Sequence, residues 1–118
     1  MAFDCGITKD NHWFRYRAAA IIVEDNCVLF AGNETADYLY SIGGAIHMNE
    51  SSEDAVKREI FEETGLLANT LELRGIITFD NDIQETEYMF LFTVKDFTGE
   101  VTKNCNEGEL EWIKKSLF

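Results

Sequence analysis

The stretch GAIHMNESSEDAVKREIFEETGL, residues 44–66, decides the fold of this 118-residue chain. It predicts a helix over residues 52–64, because Ser51 can cap the N-terminus and Asp54 follows three residues later, as in a capping box. Gly65 stands where a helix commonly takes a left-handed residue at its C-terminal end. The segment is therefore predicted to be a helix with defined ends.

Three glutamates line one side of this helix. At 100° per residue, Glu59, Glu62 and Glu63 fall within one arc beside Val56 and Ile60, which are predicted to face the core. Like charges at this spacing cost about 0.2–0.5 kcal/mol per pair on a free helix. The cluster therefore predicts either a compensating cation or a solvated acidic face. Carboxylate oxygens without nearby Cys or His ligands favour Mg²⁺, with Mn²⁺ as the alternative.

Apolar runs on both sides of the helix predict strands. These cover residues 16–23, 27–31, 38–42, 71–79, 87–94 and 109–113. The polar residues 24–26 join the first two strands in a hairpin, and Gly43-Gly44 is expected to end the third. Strands around a helix indicate an α/β sandwich with a mixed sheet. Because no second helix is evident, one sheet face needs cover from a second copy in a homodimer, another partner or a further C-terminal segment.

Composition places the chain among single-domain globular proteins. It is 46% apolar and 27% charged, so residues 1–118 are expected to form one domain. The three cysteines are too far apart for a zinc site or disulfide framework, which predicts reduced thiols. No apolar run reaches the ~20 residues of a membrane span, and no signal peptide is recognisable, so a cytoplasmic location is expected.

The net charge of −12 argues against a nucleic-acid partner, because the phosphate backbone would be repelled. A small phosphorylated ligand is still compatible with this charge, since a bound divalent cation inverts the local field. In such an acidic chain, binding of a phosphorylated ligand is therefore expected to depend on a bound divalent cation.

The spacing of residues 44–66 resembles the Nudix box, G-x5-E-x7-R-E-U-x-E-E-x-G-U, where U is bulky and apolar. All specified positions are filled, by Gly44, Glu50, Arg58, Glu59, Ile60, Glu62, Glu63, Gly65 and Leu66. Two neighbouring positions depart from the commoner wording of the family, which often has Glu at His47 and Gly at Asn49. Asn49 is a mild change, because asparagine tolerates left-handed backbone. The resemblance to MutT-like members implies an α/β/α sandwich whose C-terminal helix is missing here.

The resemblance also implies roles for the box residues. Glu59, Glu62 and Glu63 would bind catalytic Mg²⁺ with the carbonyl of Gly43, and Arg58 would orient Glu59 and Glu50. The cation would position a phosphate and lower the pKa of a water molecule, and a carboxylate would accept the proton. That base is either a box glutamate or a carboxylate of a later loop, and the local candidates there are Glu107 and Glu109.

Substrate identity is defined only coarsely by the resemblance. A nucleoside triphosphate, oxidised or not, is the leading candidate, with release of a nucleoside monophosphate and pyrophosphate. The alternatives are an ADP-ribose or nucleotide-sugar pyrophosphatase and a catalytically silent nucleotide-binding module. Candidate substrate contacts, each weighed against simple packing or loop filling, are Gly44, His47, Tyr38, Tyr40 and Phe79.

Overall fold

A computed structural model describes residues 3–32, 40–80, 85–101, 104–105 and 108–114, with the side chains of residues 104, 105, 108 and 109 left out. The strands are β1 Gly6–Lys9, β2 His12–Glu24, β3 Cys27–Gly32, β4 Ile42–Ala45, β5 Leu67–Asp80, β6 Glu85–Thr98, β7 Asn104–Cys105 and β8 Gly108–Lys114, and the helix is α1 Ser52–Thr64.

The helix has the predicted bounds. The hydroxyl oxygen of Ser51 accepts a hydrogen bond from the backbone N–H of Asp54 at 3.0 Å. Gly65 takes the left-handed conformation, with φ 82°, and its N–H donates to the carbonyl of Phe61. Val56 and Ile60 are fully buried. The helix prediction is therefore confirmed in its ends and in its core-facing side.

The sheet is mixed, as predicted. Its strands follow the order β5-β6-β2-β3-β8-β7, and β1 and β4 also pair with β2. The β2–β6 pair is parallel, and the other pairs are antiparallel. The predicted hairpin between β2 and β3 is confirmed, and its turn residues Asp25 and Asn26 have positive φ angles. Within the described residues, α1 is the only helix, so one helical layer of the sandwich is observed.

The prediction that Gly43-Gly44 ends a strand is wrong. Both glycines lie inside β4, opposite Ala19 and Ala18 of β2. A Cβ on Gly43 would stand 2.2 Å from the carbonyl oxygen of Ala18, so glycine permits the two strands to approach closely. The chain turns later, before α1, where Asn49 adopts a left-handed φ of 70°. The third strand is therefore displaced towards the helix relative to the predicted residues 38–42.

The remaining strands were predicted at the right places but too short. β2 begins at His12 because its first residues pair with β1 and β6, two partners that the local pattern did not reveal. β5 and β6 are likewise longer than predicted, with 14 residues each, and they pair along most of their length with register shifts in β5. Neither β1 nor β7 was predicted. Of the cysteines, Cys5 and Cys27 are free thiols as expected.

The core lies between α1 and one face of the sheet. Ala18, Ala20 and Ile22 are buried along β2, where each second residue points to the same face. Small alanine side chains let Val56 and Ile60 of α1 reach the sheet. Among the described residues, no helix is long and apolar enough to cross a membrane. The core thus fixes α1 directly over β2 and β4.

Candidate metal and active site

Two glutamates of α1 meet the paired glycines of β4. The Glu59 carboxyl group fills the space beside Gly44, since a Cβ there would lie 2.6 Å from its carboxyl carbon. The backbone N–H of Gly43 donates to Oε2 of Glu63 at 3.1 Å. Glu59 and Glu63 are buried, with 8% and 3% of their surface exposed. The glycines therefore give two carboxylates a place at the edge of the sheet.

Arg58 organises the carboxylates around these glycines. It donates twice to Glu50, from Nε to Oε2 at 2.7 Å and from Nη2 to Oε1 at 3.0 Å. Its Nη1 donates to Glu59 at 2.8 Å and, more weakly, to Glu62 at 3.3 Å. Nη2 also donates to the carbonyl of Ala45 at 3.0 Å. The predicted contacts of Arg58 with Glu59 and Glu50 are present, and so is the i,i+4 pair with Glu62.

The charges in this network support one another. The hydrogen bond from Arg58 lowers the pKa of Glu50 despite its partial burial. Hydrogen bonds to Glu50 and Glu59 raise the pKa of Arg58 further above its usual range. Both groups therefore stay charged. The two hydrogen bonds to Glu50 fix the position of the Arg58 guanidinium, which in turn holds Glu59.

The carboxylate oxygens at this site are the type of ligand that a hard divalent cation prefers, although they do not converge on one point. Four carboxylates, those of Glu50, Glu59, Glu62 and Glu63, face the single guanidinium of Arg58 or the adjacent glycines. In the described part of the chain, no three His, Cys, Asp or Glu side chains converge as a metal-binding group. Glu62 is the outlying donor, with 54% of its side chain exposed. To bind a cation here, Glu62 would either turn towards Glu59 and Glu63 or share its carboxylate between Arg58 and the cation.

The weaker sequence candidates fall in three different places. The His47 ring lies 3.9 Å from carboxylate oxygens of both Asp4 and Glu50, so it fills the loop before α1. Tyr40 bridges to Ala31 through its backbone and lies against the core. Phe79 is 46% exposed at the end of β5, and β6 and β2 separate its strand from β4. These positions favour packing for Tyr40 and loop filling for His47.

The late-loop candidates are described only in part. The backbone of Glu109 lies in β8 opposite Gly32 of β3. Its side chain, Glu107 and Tyr38 lie outside the described residues. The strand that precedes Glu107, β7, contacts α1. The backbone thus brings this part of the chain to the helix that carries the glutamates.

Sequence reasoning missed two arginines on β2. Arg15 and Arg17 alternate along the strand, so they share the sheet face opposite α1. Both approach Glu87 of β6, at 3.2 Å and 3.7 Å. Arg17 pairs in register with Ala45, next to Gly44, and its buried Nε has no hydrogen-bond partner among the described residues. The sequence feature that could have revealed them is the spacing of two arginines two residues apart in a predominantly acidic chain.

Comparison with known sequences supports the same family. The family model of the NUDIX domain matches residues 13–116. The uncharacterized Nudix hydrolase YvcI of Bacillus subtilis is 32% identical over 96 residues, which make up 78% of this chain and 61% of that protein. A human diphosphoinositol polyphosphate phosphohydrolase, NUDT4B, is 28% identical over 112 residues, or 91% of this chain and 62% of the relative. The chain therefore spans about three fifths of the length of these two relatives.

Solved structures agree with the sequence matches. A MutT protein from Bacillus halodurans superimposes with a TM-score of 0.76 at 32% identity, covering 86% of this chain and 69% of the other. A MutT NUDIX hydrolase from Burkholderia pseudomallei gives 0.74 at 25% identity, covering 85% and 82%. A mixed sheet with a glutamate-rich helix over paired glycines defines a MutT-like Nudix domain. This chain belongs to the Nudix family.

Proposed function

We propose that the chain hydrolyses a diphosphate linkage in a nucleoside diphosphate derivative with the help of Mg²⁺. One observation carries the proposal: Arg58 ties Glu50 and Glu59 together beside Gly44, where the family motif requires a metal site. The four carboxylates against one guanidinium leave an excess of negative charge, which attracts a hard cation. Mn²⁺ is the alternative ion for the same oxygen donors.

The side chains would have two kinds of role, binding the cation and positioning a ligand of the cation. Glu59, Glu62 and Glu63 would hold the cation, with the Gly43 carbonyl as a further ligand. When bound, Mg²⁺ neutralises phosphate charge and lowers the pKa of a water molecule. Arg58 acts as a positioning residue, because its contacts hold Glu59 at Gly44. In these roles Glu62 would bind the cation in place of its Arg58 contact or in addition to it.

The proton acceptor has two sets of candidates. A box glutamate, Glu59 or Glu62, is adjacent to the proposed cation. Glu107, which follows β7 in the sequence, or Glu109 of β8 would be the acceptor if this later part of the chain supplies it, and the contact between β7 and α1 supports that placement. Glu107→Gln and Glu109→Gln separate the two cases, because loss of a base that is not a metal ligand lowers kcat while the affinity for Mg²⁺ is retained. If both variants keep the wild-type kcat, the base is a box glutamate.

A nucleoside triphosphate is the leading substrate, with nucleoside monophosphate and pyrophosphate as products. This choice follows the MutT-like sequence and fold, including 32% identity to a MutT protein. ADP-ribose and nucleotide sugars carry the same diphosphate linkage and are the alternatives within the class.

A second candidate substrate class is a polyphosphorylated compound that carries a diphosphate group in addition to several single phosphates. Several relatives bear the name diphosphoinositol polyphosphate phosphohydrolase. Arg15 and Arg17 supply the observation that favours this class, because they place two cations on the strand next to Gly44, on the sheet face opposite α1. Arg17→Met should lower kcat/KM for an inositol pyrophosphate more than for a nucleoside triphosphate if the arginines bind the additional phosphates.

A panel of these substrates, with product identification, tests the proposal. We expect Mg²⁺-dependent turnover in the wild type and its loss in Glu62→Gln/Glu63→Gln. Glu53→Gln/Asp54→Asn removes two charges from the exposed first turn of the same helix and serves as the matched control. Unchanged turnover in the first variant would refute the proposed site. Nucleotide binding without turnover of any substrate would identify a catalytically silent module.

A further inference from the structure

An open groove lies beside the β1–β2 hairpin, away from the glutamates of α1. Its volume is about 400 Å³, and its walls include Lys9, His12, Trp13, Phe14, Asp80 and Tyr88. These residues come from β1, the start of β2, the end of β5 and β6. The groove therefore lies on described elements that the proposed metal site does not use.

The groove is separated from the glycines of β4 along the sheet. Phe14 precedes Ala18, which pairs with Gly44, by four residues of β2. At about 3.3 Å per residue, that separation is about 13 Å. Tyr16 occupies the intervening position on the same face and packs against the core. The groove is thus a distinct place on the sheet.

Aromatic rings form much of the groove. Phe14 meets Tyr88 edge to face at 5.6 Å, and it meets Tyr16 in the same way at 5.2 Å. Trp13 borders the groove, but it alternates with Phe14 along β2, and its ring lies with Arg15 on the other sheet face, 4.5 Å from the guanidinium. Phe14 and Tyr88 are only half-buried. Fixed, partly exposed rings of this kind offer stacking surface to a planar ligand.

A lysine and a histidine stand at the same groove. Lys9 and His12 are directly opposite each other in the β1–β2 hairpin, whose turn residues Asp10 and Asn11 have φ angles of 52° and 65°. Both side chains are exposed, and within the described residues neither forms an ion pair. In a chain of net charge −12, the ammonium group of Lys9 is a local site for an anion, and the His12 ring can offer an N–H donor beside it.

The groove also contains a hydrogen-bond acceptor. A carboxylate oxygen of Asp80 accepts from the hydroxyl of Thr86 at 3.5 Å, a long bond that leaves the group able to accept others. An amino group on a heteroaromatic ring or a ribose hydroxyl would supply a donor. The groove therefore combines a stacking surface, an acceptor and a lysine beside a histidine.

We propose that this groove binds a free mononucleotide, with its base against the aromatic rings and its phosphate at Lys9 and His12. The site is separate from the proposed metal site and needs no divalent cation. A mononucleotide fits better than a nucleic-acid chain, because the overall charge of −12 would repel a phosphate backbone. This binding is an addition to diphosphate hydrolysis and does not depend on it.

Tryptophan fluorescence tests the proposal with adenosine monophosphate as the probe. The titration is performed with EDTA, so that the metal site makes no contribution. We expect saturable quenching that Trp13→Phe removes, and affinity at least about tenfold weaker for adenosine or inorganic phosphate alone. Lys9→Met should weaken binding by about tenfold, whereas Lys9→Arg should retain it. Lys95→Met, which removes the same charge from a lysine paired with Glu72, is the matched control.

Several results would overturn the proposal. These are the absence of saturable quenching in the folded wild type, equal affinity for adenosine, and equal weakening by Lys9→Met and Lys95→Met. Calorimetric titration of Trp13→Phe distinguishes loss of the reporter from loss of binding. Hydrolysis by Lys9→Met with Mg²⁺ should stay within about twofold of wild type. A fall in hydrolysis in step with the affinity for adenosine monophosphate would place the groove in the substrate site and contradict a separate one.

Discussion

At the scale of single residues, the adjacent glycines of β4 have different jobs. Gly43 lets β4 approach the backbone of β2, because a Cβ would collide with the carbonyl of Ala18. Gly44 leaves room for the Glu59 carboxyl group, which is the end of a flexible side chain. A methyl group at position 43 should therefore disturb the packing of β4 on β2, whereas one at position 44 should displace the carboxyl group of Glu59.

Alanine substitutions should separate these two effects. We expect Gly43→Ala to lower the free energy of unfolding by about 1–3 kcal/mol, because backbone must shift. Gly44→Ala should cost less stability and reduce kcat/KM by about 100-fold, because Glu59 is displaced. Gly75→Ala is the control, since its Cβ would meet no atom within 4 Å. Urea unfolding and substrate turnover measure the two effects, and equal stability losses at positions 43 and 44 would contradict this division.

Glu50 connects the site to acid stability. Its folded-state pKa is lowered, chiefly by the hydrogen bond from Arg58, so its contribution to stability is complete above its ordinary pKa of 4.5. That contribution is lost as the pH falls through the lower folded-state pKa. We expect Glu50→Gln to be less stable than wild type by about 1–3 kcal/mol at neutral pH. The difference should shrink as the pH falls from 5 to 3, as urea unfolding can measure.

The exposed Glu53 provides the control for this pH dependence. Glu53→Gln removes one carboxyl group from the same helix without removing the Arg58 contacts. Its stability should follow the wild-type dependence on pH. A constant difference between Glu50→Gln and wild type across the acid range would show that the Glu50–Arg58 pair does not contribute through ionisation.

At the scale of elements, α1 was the part that the sequence predicted best. Its cap, its left-handed end and its core-facing residues are local features, and each is encoded within one or two turns. The limits of β2 and β4 depend on distant partners, so their predicted ends were wrong. Arg15 and Arg17 meet Glu87 only after β2 and β6 pair in parallel, which no local pattern reveals. The convergence of Arg58 with Glu50 was predictable only through the family motif.

The cap of α1 gives a prediction at this scale. Ser51→Ala removes the acceptor for the N–H of Asp54, so the free energy of unfolding should fall by about 1 kcal/mol. Ser51→Asp keeps an acceptor and should retain most of that stability. The comparison with Ser52→Ala, one residue inside the helix, controls for loss of a hydroxyl. If Ser51→Ala is as stable as wild type in thermal unfolding, the cap contributes nothing measurable.

At the scale of the whole molecule, the chain combines an excess of acidic charge with a sheet whose apolar side chains are partly uncovered. Large apolar side chains of β5 are exposed on both faces, among them Leu73, Ile76, Ile77 and Phe79. The sequence predicted an uncovered sheet face from the lack of a second helix, and what covers it stays a prediction. The chain also carries 22 acidic residues against 10 lysines and arginines. Folding therefore collects negative charge on a surface that a bound cation would relieve locally.

Mg²⁺ should therefore stabilise the folded chain by binding, beyond any effect of screening. A ligand that binds only the folded state adds about 2.7 kcal/mol to the free energy of unfolding at 100 times its Kd. NaCl at matched ionic strength should give a smaller gain, because it screens the net charge without occupying the site. Glu62→Gln/Glu63→Gln should lose the additional gain from Mg²⁺, and Glu53→Gln/Asp54→Asn should keep it. If both variants gain as much as wild type, Mg²⁺ acts by screening and the glutamates of α1 do not hold it.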